Sequence, residues 1–258
     1  MNSPFALALG GLLGLAVGCF LNVCIYRLPL RQSIAFPPSR CPRCGRGLSW
    51  YDNIPVVSWL ALRGRCRQCG EPISVQYPIV EFVTAVLFVA VVWSSPAGPL
   101  LVSRLVLGCA LIVLFMIDLE HQILPNVITL PGIAVGLALS LIAPPGIVDA
   151  LLGAALGAGV LYAIAAGYYL WRKEEGMGMG DVKMLAMIGA FLGWQAVLLT
   201  LILSSFSGAI IGIGILATSR GSMRYALPFG TFLALGALVA MLSGDAIFGW
   251  YLGLFDPR

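Results

Sequence analysis

Apolar residues along this chain run in long blocks rather than alternating with polar ones. The blocks are Phe5 to Tyr26, Pro78 to Trp93, Leu100 to Ile117, Ile123 to Ala143, Ile147 to Trp171, Met184 to Ala217 and Tyr225 to Leu242. A helix crosses the hydrocarbon core of a bilayer with about 17–25 apolar residues, and the blocks are of that order. The breaks between them carry turn signals, Ser94-Ser95-Pro96-Ala97-Gly98-Pro99 and Pro144-Pro145-Gly146. The block from Met184 to Ala217 is too long for one span, because a single helix would run about 51 Å against a core of about 30 Å. It reads as two helices with a turn near Gly193-Trp194-Gln195. The pattern therefore predicts an all-α polytopic membrane protein with about eight transmembrane helices. The first block has no basic stretch before it and no small-residue cleavage site after it. It reads as a retained helix, not a signal peptide.

A polar segment rich in Pro, Arg and Cys interrupts the apolar pattern after the first block. The expected organisation is a first transmembrane helix at 1–27, a small polar domain at 28–77 and a membrane domain at 78–258. Composition agrees: 60% of the 258 residues are hydrophobic and 10% are charged, whereas a soluble domain carries roughly a quarter charged residues. Glycines recur at four-residue spacing (Gly10, Gly14 and Gly18; Gly132 and Gly136; Gly153 and Gly157; Gly208 and Gly212), a pattern that lets membrane helices approach closely.

Position matters more than the net charge of +4. Of 15 Lys and Arg, eight (Arg27, Arg31, Arg40, Arg43, Arg46, Arg63, Arg65 and Arg67) flank or lie within the polar segment. Basic residues in short loops mark the cytoplasmic side. With eight spans and both termini outside, Arg172, Lys173, Lys183, Arg220 and Arg224 join them inside, leaving only Arg104 and Arg258 outside. A seven-span arrangement moves Arg220 and Arg224 outside and ranks second. The basic charge is topological, and no nucleic-acid partner is expected.

Cys19, Cys24 and Cys109 lie in apolar blocks and read as buried small hydrophobes. Cys41-Pro42-Arg43-Cys44-Gly45 and Cys66-Arg67-Gln68-Cys69-Gly70 are different: two matched knuckles, each offering two thiolates on a tight turn. Four such sulfurs make a closed tetrahedral zinc site. Two disulfides are the competing reading, disfavoured in a reducing cytoplasm. A closed thiolate shell leaves no position for water, so the zinc is expected to be structural. With one histidine and no H-E-x-x-H, a zinc protease is not expected.

Two aspartates sit at span ends, Asp118 in Met116-Ile117-Asp118-Leu119-Glu120-His121 and Asp181 in Gly178-Met179-Gly180-Asp181-Val182-Lys183. Ionisable groups at membrane depth are costly and functional by default. In the eight-span order both reach the same cytoplasmic edge. A lone interfacial aspartate caps a helix or meets headgroups as often as it reacts; two at one edge form a candidate acid–base pair. Gly178 and Gly180 would let an extended substrate backbone approach Asp181, and Lys183 lies close enough to act on its charge. Glu81 and Glu120 are expected to be supporting or structural.

Over nearly its whole length the chain resembles the prepilin peptidases, the type IV leader peptidases of bacterial pilus and type II secretion systems. The likeness rests on Gly18 through Pro29, the knuckles flanking Trp50-Tyr51-Asp52-Asn53-Ile54-Pro55, Arg63-Gly64-Arg65-Cys66 and Tyr77-Pro78-Ile79-Val80-Glu81. It continues in Asp118-Leu119-Glu120, Gly178 to Lys183 and Pro228-Phe229-Gly230. The resemblance implies catalytic aspartates at Asp118 and Asp181, the latter in the family's G-x-G-D signature. It implies prepilins or pseudopilins as substrates, cut after a Gly that ends a short basic leader. It also implies N-methylation of the new terminus with S-adenosylmethionine, since members with the four-cysteine domain are bifunctional; no methyl-donor residues are assigned by it. The implied location is the bacterial inner membrane, with lipid around the spans and the active site and zinc domain facing the cytoplasm. Two other classes compete: a proton-coupled transporter with a structural zinc domain, and a non-enzymatic assembly platform. A transporter expects carboxylates near mid-bilayer and two matching halves, neither of which the sequence offers.

Overall fold

The computed structural model describes residues 3–41, 43–174, 176–218 and 228–254. Among these residues it is all-helical without strands, and it divides into two compact units, residues 1–97 and 98–258. The basic residues Arg220 and Arg224, which separate the eight-span from the seven-span order, lie outside the described residues.

The first unit holds α1 (Pro4–Arg27), a 3-10 turn at Trp50–Asn53, the short α2 (Val57–Ala61) and α3 (Gln76–Ser94). Ser3 caps α1 by accepting the Ala6 N–H, with Pro4 pre-set at the first helical position. The helices α1 and α3 pack antiparallel, and the Gly10-Gly14-Gly18 stripe makes the seam. A Cβ on Gly14 would stand 2.6 Å from the Ala85 Cα, and one on Gly18 2.7 Å from the Glu81 Cα. With no side chain between the backbones, dispersion supplies the association that water exclusion cannot supply in lipid.

The second unit holds α4 (Pro99–His121), α5 (Asn126–Leu139), α6 (Ile147–Arg172), α7 (Met179–Thr218) and α8 (Phe229–Gly253). Among the described residues six helices are long and apolar enough to cross a membrane, fewer than the eight expected. The difference has two sources. Helix α5 has 14 residues, a length of about 21 Å. Helix α7 has 40 residues and is broken at Gly193, whose φ of 81° and ψ of 175° are non-helical. That positive φ requires glycine, and the break falls within the turn expected at 193–195. Counting α5 and the two limbs of α7 recovers eight apolar segments.

Small residues again set the packing: a Cβ on Gly153 would lie 2.5 Å from the Gly189 carbonyl oxygen, and one on Gly157 2.6 Å from that of Leu185. Gly136 meets Phe191, whereas Gly208 keeps an ordinary 3.6 Å from the Phe232 ring. Buried hydroxyls tie helices across the bundle. Ser140 Oγ donates to the Ala190 carbonyl at 3.0 Å and Ser204 Oγ to that of Phe232 at 3.0 Å. Trp93, Trp171 and Trp250 stand exposed at helix ends, where bilayer interfaces collect aromatic rings.

Candidate active site and metal centre

Helices α4 and α8 run antiparallel in a register fixed at two points. At one end Arg104 pairs with Asp245 at 3.9 Å. At the other, Asp118 Oδ2 accepts the Thr231 N–H at 2.7 Å and the Thr231 hydroxyl at 3.1 Å. Arg104 precedes Asp118 by the same 14 positions that separate Thr231 from Asp245. The second end is the site.

Four helix ends converge there: the last turn of α4 and the first turns of α5, α7 and α8. Asp118 and Asp181 are 5% and 8% exposed, and their carboxylates are within coulombic reach of each other. Leu124 in the α4–α5 connection wedges between the approaching elements: a Cβ on Gly180 would stand 2.8 Å from its Cβ, and one on Gly230 2.9 Å from its Cδ1. Gly230 also leaves room for Asp118, whose Oδ2 lies 3.0 Å from where a Cβ would be. The sequence-predicted aspartates are thus brought together, with Gly180 closing against Leu124.

The pair is asymmetric. Asp118 Oδ2 is held by two donors, whereas Asp181 Oδ1 is buried without a hydrogen-bond partner among the described residues. Burying an unpaired polar atom costs about 1–3 kcal/mol, so an orphan oxygen at the meeting point of four helices marks a place prepared for another molecule. Gly178 is exposed, with its would-be Cβ 3.5 Å from Asp181 Oδ2. Lys183 Nζ donates to Asn126 Oδ1 at 2.9 Å, so its head is tied to α5. Glu120 lies exposed, 3.9 Å from His121. Thr231 was missed by sequence reasoning; its signal, a hydroxyl directly after Pro228-Phe229-Gly230 at the start of an apolar helix, is weak alone.

The four knuckle thiols gather in the first unit. Their sulfurs all lie within 4.8 Å of one another, with Cys41 and Cys69 at 3.8 Å. Zn–S bonds of about 2.3 Å in a tetrahedron place sulfurs about 3.8 Å apart, so the donor set fits. The two knuckles are near copies. Cys41 N–H donates to the Arg46 carbonyl and Gly45 N–H to that of Cys41; Cys66 N–H donates to Glu71 and Gly70 N–H to Cys66. Gly45 and Gly70 close each turn at φ of 70° and 71°. Arg43–Glu71 (3.1 Å) and Arg46–Gln68 stitch one knuckle to the other. The backbone N–H groups of Cys69 and Gln68 draw the Cys66 thiol down to about 7. Cys69, despite the Glu71 N–H, is pushed up to about 11 by desolvation and by its bonds to Cys66, Cys41 and Cys44. The Cys69 thiol thus keeps a proton that a bound dication would release. No disulfide occurs among the described residues.

These features define a multi-pass helical membrane protein with a buried carboxylate pair and a four-thiol cluster able to hold a metal ion. The chain belongs to the type IV leader peptidase family: residues 105–213 match the Type IV leader peptidase family, and residues 12–95 match the Bacterial Peptidase A24 N-terminal domain. A Myxococcus xanthus protein called prepilin leader peptidase/N-methyltransferase is 50% identical over 216 residues, 82% of this chain and 64% of that protein. Proteins of the same name from Aeromonas hydrophila (40% identity, 95% of this chain and 93% of theirs) and Pseudomonas aeruginosa (38%, 93% and 91%) match nearly end to end. No solved structure matches the chain.

Proposed function

We propose that this protein removes the leader from type IV prepilins and pseudopilins with the Asp118–Asp181 pair, and then N-methylates the new terminus. The observation that carries the peptidase reading is the asymmetric meeting of two buried carboxylates in a leader-peptidase chain. Two carboxylates this close hold one proton between them. Asp118, with both donors on Oδ2, is the ionised member and takes a proton from the attacking water. Asp181 holds the shared proton, donates a hydrogen bond to the scissile carbonyl and then protonates the leaving amine. The exposed Gly178 next to it leaves space for an extended backbone. Incubation of the purified protein with a prepilin is the test: the pilin loses the mass of its leader, and an unchanged mass refutes the reading.

The functional division is 1–27 as the first span, 28–77 as the zinc-binding module and 78–258 as the peptidase. Cys41, Cys44, Cys66 and Cys69 would hold one structural zinc, with no open position for chemistry. The protein sits in the bacterial inner membrane with the thiol module and the carboxylate pair facing the cytoplasm, a reading supported by the one-sided distribution of Lys and Arg. S-adenosylmethionine supplies an electrophilic methyl group for the second activity. The transporter alternative has no support from the relatives, whose names are those of peptidases and methyltransferases.

A further inference from the structure

Three stretches that carry the family likeness, around Asn22, Asn53 and Glu81, play no part in the carboxylate pair, yet they converge within the first unit. Helix α1 lays Gly18 on the Glu81 backbone, and one turn on, Asn22 Nδ2 donates to the Tyr77 carbonyl at 3.0 Å. Cys19 of α1 lies near both Asn53 and Glu81. Glu81 is 6% exposed, and its Oε2 accepts the Val56 N–H at 2.7 Å. Its Oε1 has no partner among the described residues.

Two further observations set this carboxylate apart. Residues 1–97 contain three acidic side chains: Asp52 is paired with Arg67 at 2.8 Å and Glu71 with Arg43 at 3.1 Å, which leaves Glu81 without a cation among the described residues. The residue it grips is strained. Val56 has φ 61° and ψ −48° in a three-residue turn closed by Val57 N–H to the Pro55 carbonyl at 2.6 Å. Positive φ at a β-branched residue is a steric outlier, this turn form is rare and strained, and such strain persists where the surroundings impose it, often at ligand clamps. A buried carboxylate with one oxygen anchored and the other free is suited to a cationic, proton-bearing ligand.

We propose that Glu81 is the proton acceptor of the N-methyl-transfer site, taking the pilin's new N-terminal amine against Oε1. The inference rests on the methyltransferase reading above. The amine lone pair bonds to the methyl carbon of S-adenosylmethionine, and the carbon–sulfur bond breaks with its electrons onto sulfur, leaving a thioether. The proton released from nitrogen passes to Glu81 Oε1. The anchored Oε2 keeps the carboxylate from turning away.

The full-length protein in detergent, with a prepilin and labelled S-adenosylmethionine, tests this through Glu81→Gln. An amide oxygen still accepts the Val56 N–H, so the turn survives while the proton acceptor is lost. General bases contribute about 10²–10⁴-fold, so methylation should fall at least about 100-fold. Leader removal, zinc content and calorimetric binding of S-adenosylhomocysteine should stay at wild-type values. Glu81→Asp, which retains a carboxylate, should recover part of the methylation. Methylation within twofold of wild type in Glu81→Gln overturns the proposal. So does joint loss of zinc and cleavage, which would make Glu81 a structural anchor, or loss of S-adenosylhomocysteine binding, which would place it on the donor. Failure of the wild type itself to methylate would instead sink the bifunctional reading.

Discussion

Replacing either aspartate by asparagine separates chemistry from folding, because the structure sets the two costs far apart. In Asp118→Asn an amide oxygen still accepts from Thr231, at 2.7 Å from the backbone N–H. What is lost is the charge assistance of that bond, about 1 kcal/mol. In Asp181→Asn the Oδ1 position has no partner among the described residues to lose. Either change should therefore shift melting by only a few degrees. The chemical cost is larger. Acid and base roles are each worth about 10²–10⁴-fold, and a pair that shares one water and one proton fails as a unit. Each single variant should lose about 10⁴-fold in cleavage, roughly 5.5 kcal/mol of barrier. The double variant should be little worse than either single. The assay is leader removal from a prepilin followed by mass, with thermal melting of each variant in detergent as the fold control. The wild-type pH–rate profile should be bell-shaped, with two apparent constants that belong to the pair. A folded single variant that cleaves within tenfold of wild type would refute the shared-proton mechanism.

Thr231→Val removes the hydroxyl donor and keeps the backbone N–H. Cleavage should fall about tenfold, the equivalent of one hydrogen bond to a charged group, and Thr231→Ser should restore it; no change in the valine variant would show the hydroxyl to be incidental. Cys41→Ser should reduce zinc from about one per chain and destabilise residues 28–77, with metal analysis as the check and metal-free wild type as the contrary result. Gly14→Ala forces a Cβ to within 2.6 Å of the Ala85 backbone, and overpacking of this kind costs about 1–3 kcal/mol; a melting temperature equal to wild type would contradict the α1–α3 seam. Reporter fusions after Trp93 and Pro145 should read periplasmic and one after Gln68 cytoplasmic, and a reversed pattern would invert the orientation proposed from Lys and Arg.

Local spacing made much of this protein legible from its residues alone. Block lengths located the spans, because a bilayer imposes a length on every helix that crosses it. The excess length of one block located the break at Gly193. Two C-x-x-C-G knuckles located the thiol cluster, because each brings its own pair of sulfurs into position by a local turn. The carboxylate pair was legible as a shared helix end once chain parity was counted. Partnerships across helices were not legible. Thr231 reaches Asp118 over 113 positions, and Glu81 reaches Val56 over 25; both depend on the register and rotation of packed helices, which hydrophobicity does not encode when every face is apolar. The shortness of α5 escaped as well, because its apolar block runs past both ends of the helix and only the turn geometry at Pro125 and Ser140 ends it. Composition and spacing determined that two aspartates would stand at the ends of apolar helices and that four cysteines would gather on two matched turns of the polar segment. Only the tertiary packing decided which aspartate is held by donors, which keeps an oxygen unpartnered among the described residues, and that Glu81 has no ion-pair partner among them, because those facts are set by contacts between elements distant in the chain.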